Sequence, residues 1–233
     1  MSLQDVAIEG NEIPDNAFKG NETLKTFYFP KNITRIGEYA FRGCKNLAGD
    51  LYIPYTVEEV DDYAFEECSG LKGNLAFAGT GYPIGVSKLK RIGVAAFNKC
   101  KFNGTLTFGV LSELQEIDNY AFHSCKGFIG GLDIPDNVTR IGSYAFYSAF
   151  GFTHISLGKK VSSIGVFGFN VEGTCKLIYS HNPVPPTLAA ASSLPLLSSS
   201  EQTRLIIPSG TTSAYKNAQY WKDRVFDLYL DSL

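Results

Sequence analysis

The dipeptide Ala-Phe recurs at Ala17-Phe18, Ala40-Phe41, Ala64-Phe65, Ala96-Phe97, Ala121-Phe122 and Ala145-Phe146, and Gly168-Phe169 makes a seventh copy. Successive phenylalanines stand 23, 24, 32, 25, 24 and 23 residues apart. Five residues before each lies a β-branched aliphatic: Ile13, Ile36, Val60, Ile92, Ile117, Ile141 and Ile164. An offset held through seven copies is a structural repeat. A unit of two dozen residues cannot bury its own apolar face, so such units stack and share one continuous core.

Further columns fill in the coil. Gly or Asp follows the aliphatic in six copies (Gly37, Asp61, Gly93, Asp118, Gly142, Gly165), where a tight turn favours either residue. Tyrosine stands two before the phenylalanine at Tyr39, Tyr63, Tyr120 and Tyr144, and cysteine three after it at Cys44, Cys68, Cys100 and Cys125. Short alternating runs follow, among them Leu51-Tyr52-Ile53-Pro54, Leu106-Thr107-Phe108 and Leu132-Asp133-Ile134-Pro135, and period-two alternation predicts one strand per coil. The stretch from Gly or Asp through Ala-Phe to Cys is expected as a short helical turn on the opposite side. The fold class is therefore α/β: a solenoid of about seven coils of 23–25 residues, closed by a C-terminal cap. The chain reads as one solenoid domain over 1–233. Residues 1–23 form a degenerate first coil or N-terminal cap, 24–180 the repeats, and 181–233 an irregular loop and closing cap. The proline run Pro183-Val184-Pro185-Pro186 is expected to interrupt the ladder.

The pattern Ile134-Pro135-x-x-Val138-Thr139-x-Ile141-Gly142-x-x-Ala145-Phe146 resembles the BspA-type leucine-rich repeat. The resemblance covers roughly residues 8–180. It implies a solenoid of the kind found in surface and secreted proteins of gut and oral Bacteroidetes, associated with adhesion. The stretch Leu205-Ile206-Ile207-Pro208, followed by Ala214-Tyr215 and Tyr220-Trp221, is similar to the segment that closes such arrays. It implies that Tyr and Trp on a terminal helix cover the last coil.

Two kinds of departure carry the candidate sites. Fifteen steps separate Phe77 from Ile92 where seven separate Ile53 from Val60, so the fourth coil holds a Gly-rich insertion with Gly79, Tyr82 and Ile84 as candidate contacts. A smaller insertion at Gly109–Glu113 lies at the matching place in the next coil. A bulge without function competes with a binding edge there. The second surface is the concave sheet, whose outward positions are Tyr28, Asp50, Tyr52, Asn74, Ala76, Thr105, Thr107, Asp133, His154 and Ser156. Tyrosine amid polar groups presents a rigid ring and a hydroxyl together, which is interface chemistry.

Catalytic and metal chemistry find little footing. No Cys-x-x-Cys pair exists; the cysteine column is replaced by Ala149 in the next copy, which marks a small buried residue instead of a ligand. Acidic pairs at Glu58-Glu59, Asp61-Asp62 and Glu66-Glu67 read as solvated surface. No cofactor is expected. The 21 basic and 23 acidic residues leave a net charge of −2, against nucleic acid as a partner. No apolar run approaches the roughly 18 residues of a membrane span. Met1-Ser2-Leu3 reads as an addition ahead of a mature sequence, so the missing leader does not speak against an extracellular or cell-surface place. The expected function is a non-catalytic, adhesin-like recognition module for a host-matrix or neighbouring-cell protein. A structural spacer in a larger surface protein and a glycan binder using Tyr28, Tyr52 and Tyr82 stand as alternatives.

Overall fold

The computed structural model describes residues 9–77, 86–109, 111–171, 175–194 and 204–222. Each coil returns the chain to the same place, so equivalent segments pair in parallel. One ladder is unbroken. Glu12–Ile13, Arg35–Ile36, Glu59–Val60, Arg91–Ile92, Glu116–Ile117, Arg140–Ile141, Ser163–Ile164 and Thr187–Leu188 form an eight-stranded parallel sheet in strict register. Its strands are two residues long, too short to show alternation, so the sequence pattern reveals only their aliphatic member. The expected one strand per coil is thus joined by a second. The last strand comes from Thr187–Leu188, so the ladder runs on past the prolines at 183, 185 and 186, which fall ahead of the pairing residues.

The other ladder follows the alternating runs and is split. Gly49–Tyr52, Leu71–Ala76 and Leu106–Thr107 make a three-stranded sheet. Gly130–Asp133, Phe152–Leu157, Leu177–Ser180 and Arg204–Ile206 make a four-stranded one. Val86–Ser87 and Leu111–Ser112, at the ends of the two insertions, pair with each other in a separate two-stranded sheet.

The segment expected as a helical turn is a chain of tight turns. Within one coil Ala40 N–H donates to Gly37 O, Arg42 N–H to Tyr39 O and Cys44 N–H to Phe41 O. The intervening amides cross to the next coil: Tyr39 N–H reaches Asp62 O, Phe41 N–H reaches Ala64 O and Gly43 N–H reaches Glu66 O. A helix would keep every amide inside its own coil; here every second one is spent on the neighbour. The redirection needs left-handed backbone, found at Tyr39 (φ 56°) and Gly43 (φ 71°) and at equivalent positions along the stack. Among the described residues the one α-helix is Thr212–Asn217.

The core lies between the ladders. Phe18, Phe41, Phe65, Phe97, Phe122, Phe146 and Phe169 stack face to face with centroids 4.9–5.3 Å apart, continuing across the coil that carries the long insertion. Each fully buried phenylalanine contributes about 1.5–3 kcal/mol of transfer free energy. The alanine before it is buried from Ala40 to Ala145, because the coils approach too closely there for a larger side chain. The same closeness explains Gly37, whose Cβ would stand 2.7 Å from Asp15 N and 2.8 Å from Ile13 O. At the C-terminal end Tyr215 and Trp221 are buried edge to face at 5.2 Å. Trp221 Nε1–H donates to Pro186 O at 2.7 Å and Tyr215 Oη–H to Asn182 O at 2.7 Å, fixing this segment on the last coil.

Candidate binding surface

Three surfaces run along the stack, and among the described residues they differ in how far their side chains are committed to one another. On the unbroken ladder the outward positions read Glu12, Arg35, Glu59, Arg91, Glu116 and Arg140, paired strand to strand. The following position alternates in step: Gly37, Gly93 and Gly142 follow the Arg-Ile coils, Asp61 and Asp118 the Glu coils. Each arginine therefore reaches carboxylates on both neighbours where both exist. Arg35 meets Glu12, Asp15 and Asp61. Arg91 meets Asp62 at 2.6 Å and Asp118 at 3.1 Å, and Arg140 meets Asp118 at 2.8 Å. Burial works to raise the Asp118 carboxyl, but the hydrogen bonds from Arg140 and the Asn119 amide and the charges of both arginines hold it below the usual range. Asp61 shifts the other way, with burial outweighing Arg35 and Arg91. Glu66, buried, accepts from Arg42 Nε–H and Asn98 Nδ2–H. The expectation of solvated surface is thus corrected at three of these residues: Asp61 and Asp62 belong to an ion ladder, whose two-coil period is the signal that could have found it, and Glu66 pairs with Arg42 outside that ladder.

The turn side carries aromatic rings. Tyr39 stacks on Tyr63 at 4.9 Å, and Tyr120 on Tyr144 at 5.0 Å, while Ala95 interrupts the column between the two pairs. His123 stacks on Tyr147 at 5.5 Å. These rings cover one another's faces. Beneath them Cys44, Cys68, Cys100 and Cys125 are thiols that each donate to the carbonyl of the preceding coil's phenylalanine at 3.0–3.1 Å. Burial pushes these thiols up, which suppresses thiolate chemistry.

The split ladder presents the sequence-predicted candidates. Tyr52, Ala76 and Thr107 are in register, as are Asp133, Ser156 and Tyr179. Tyr28 is 51% exposed and Tyr52 37%. The row behind them is partly committed. Asp50 Oδ1 accepts Asn74 N–H at 2.6 Å and its Oδ2 accepts Tyr52 Oη–H at 2.8 Å; Asn74 Oδ1 accepts Thr105 N–H at 2.9 Å. The Asn74 amide is the first cause of the lowered Asp50 pKa. His154 lies over Gly131, which has no Cβ to obstruct the ring, and its Nε2 stands 3.5 Å from Asp133 Oδ1. Gly79, Tyr82 and Ile84 lie outside the described residues. Val86–Ser87, which follow that insertion, pair with Leu111–Ser112 of the next coil's smaller insertion, with Leu111 exposed.

No backbone ladder joins Leu106–Thr107 to Gly130–Asp133, and a groove of about 530 Å³ spans this seam. Thr107, Asp133, Asp136, Ser156, Lys159 and His181 supply its polar lining, with Leu106, Phe108, Ile134 and Pro135 as apolar wall. The groove brings together three predicted residues, Thr107, Asp133 and Ser156, and adds Asp136, Lys159 and His181, which the sequence reading missed. Tyr28, Tyr52, Asp50, Asn74, Thr105 and His154 are not in its lining. Ser156 Oγ and His181 Nε2 are hydrogen-bonded at 3.0 Å. Lys159 donates to Asp136 through Nζ (2.8 Å) and its backbone amide (3.1 Å), the first of which is the main cause of the lowered Asp136 pKa. Among the described residues no group of three or more His, Cys, Asp or Glu side chains is placed to hold a metal ion, and no helix is long and apolar enough to cross a membrane.

A family model described as the BspA type leucine rich repeat region matches residues 6–78 and 83–184 in 6 copies. Two solved structures are similar at low identity. The leucine-rich repeat protein of T. pallidum is 19% identical with a TM-score of 0.47, covering 97% of this chain and 83% of its own. A leucine-rich repeat protein from Bacteroides ovatus ATCC 8483 is 18% identical with a TM-score of 0.39, covering 84% of this chain and 60% of its own. No curated protein matches the chain.

Proposed function

Since this chain belongs to the BspA-type leucine-rich repeat family, we propose that it is a non-catalytic recognition module, displayed at the cell surface or secreted, that binds a protein through its split-ladder face. One observation carries the reading: this is the face that leaves tyrosine rings and a carboxylate, Asp133, exposed. The opposite ladder spends its charges on itself and the turn side stacks its rings together. The split-ladder face instead offers exposed Tyr28 and Tyr52 and a groove with mixed polar and apolar lining. Rigid exposed rings are a good anchor for a partner, because little side-chain entropy is lost on contact.

The test is capture on an array of extracellular-matrix proteins and glycans. Saturable binding to a protein, weakened when Tyr28 and Tyr52 are both changed to Ala with the fold unchanged, is the expected result. Binding to glycans alone, or undiminished protein binding by the double variant, would remove this face from the assignment.

A further inference from the structure

The groove over the seam has unevenly paired charges. Lys159 Nζ and Asp136 Oδ2 pair with each other at 2.8 Å, and His181 Nε2 is bonded to Ser156 Oγ. Asp133 has no lysine or arginine partner among the described residues. The Asp133 side chain is 76% exposed, and His154 at 3.5 Å is its one ion-pair partner among the described residues. Ser156 Oγ keeps a lone pair whichever member of its pair donates. With the Asp136 and Lys159 charges offsetting each other, Asp133 leaves the groove about one negative charge in excess.

That imbalance selects the ligand. A guanidinium has five donors, no acceptor and a permanent charge. Its planar fork suits a carboxylate better than a compact ammonium does. Its aliphatic stem would lie along Pro135, at the edge of the core that holds Leu106, Phe108 and Ile134. We propose that the groove is the seat of an arginine side chain presented by the protein partner, held at Asp133 and Ser156. This rests on the split-ladder reading above and adds the chemistry of the anchor. The seam matters as well: the neighbouring coils are not zipped together there, and Gly109 and Gly158 line the groove without side chains to fill it.

The experiment is an NMR titration of the intact chain with N-acetyl-arginine N-methylamide and with its citrulline counterpart, which keeps the shape but loses the charge. Saturable shifts at the amides of Asp133, Ser156 and His181 are expected with arginine. Affinity should fall at least about tenfold with citrulline, and equally in Asp133→Asn, whose spectrum elsewhere stays unchanged. Equal response to arginine and citrulline, full affinity in Asp133→Asn, or shifts produced by N-acetylglucosamine and not by arginine would each overturn the proposal. The two readings fail separately. A matrix protein that loses affinity for the Tyr28/Tyr52 variant but not for Asp133→Asn overturns the arginine seat and leaves the face standing. Arginine titrating the groove while the array stays silent does the reverse.

Discussion

The two ladders of this solenoid are built from the same coils, yet one runs through eight strands without a break and the other falls into two sheets. The insertion between Phe77 and Ile92 enters the coil on the split side, and the Ile and Phe columns pass it undisturbed, with Phe65 and Phe97 still stacked at 5.3 Å. The continuous side joins coil to coil by ion pairs; the split side pairs some of its residues and leaves Tyr28 and Asp133 exposed. In a stack where each coil touches only its neighbours, stability and recognition can be assigned to opposite edges of one repeat.

The largest effect that would break this division is in the phenylalanine stack. Phe97→Ala removes a fully buried ring between Phe65 and Phe122, and a loss of about 3–5 kcal/mol in denaturant unfolding is expected. Thr107→Ala, on the exposed side of the split ladder, should stay within about 0.5 kcal/mol. Comparable losses in the two variants would mean that the faces are not energetically distinct.

Next comes the ion ladder. Arg91→Ala leaves Asp62 and Asp118 without a shared cation, and a loss of about 1–3 kcal/mol is expected. The acid dependence sharpens it. Asp118 has a lowered folded pKa, so its stabilisation is present above its unfolded pKa and is lost as pH falls through the folded one. The stability gap between the parent and Asp118→Asn should therefore be widest near neutrality and close below about pH 4. Asp61, with its raised pKa, works against this trend, because its protonation in acid relieves a cost. A gap that persists into strong acid would show that Asp118 acts through packing and not through its charge.

The columns of Ile, Ala, Phe and Cys were legible in the sequence because each needs one residue type at one offset, and the buried interior admits few substitutes. The ion ladder was not. Read one coil at a time, the position of Gly37, Asp61, Gly93, Asp118 and Gly142 is a tolerant turn column; read in pairs, Arg-Ile-Gly alternates with Glu-(Val/Ile)-Asp. The helical turn was misassigned in kind because Tyr39 and its equivalents sit at positive φ, where tyrosine gives no sequence warning. Of the binding face, the outward residues were legible from alternation. The groove was not, since it depends on which backbone ladder fails to close, and Asp136, Lys159 and His181 enter it from just beyond their strands.

On the turn side the interruption at Ala95 isolates backbone strain from ring stacking. Ala95 has φ 52° and no ring to offset it, whereas Tyr120 at φ 59° stacks on Tyr144. Ala95→Gly should raise stability by about 1 kcal/mol, the left-handed penalty less part of glycine's entropic cost. Tyr120→Gly should bring no gain, because the stacked pair is lost. A gain of equal size at both positions would show that the tyrosine column contributes nothing to the array.

The smallest effect tests the division inside the split-ladder face itself. Asp50 and Asp133 are both exposed carboxylates on outward positions, and by alternation alone they look equivalent. Asp50 is tied to the next coil through the Asn74 amide at 2.6 Å, while Asp133 faces the groove with His154 beside it at 3.5 Å. Asp50→Ala should cost about 0.5–1 kcal/mol, the net worth of one hydrogen bond between coils. Asp133→Ala should cost less than about 0.5 kcal/mol while lowering partner affinity. If thermal unfolding ranks them in the opposite order, Asp133 is a structural residue and the groove loses the uncommitted carboxylate on which its recognition depends. If the order holds, the same face contains one carboxylate that joins coils and another that is free to bind.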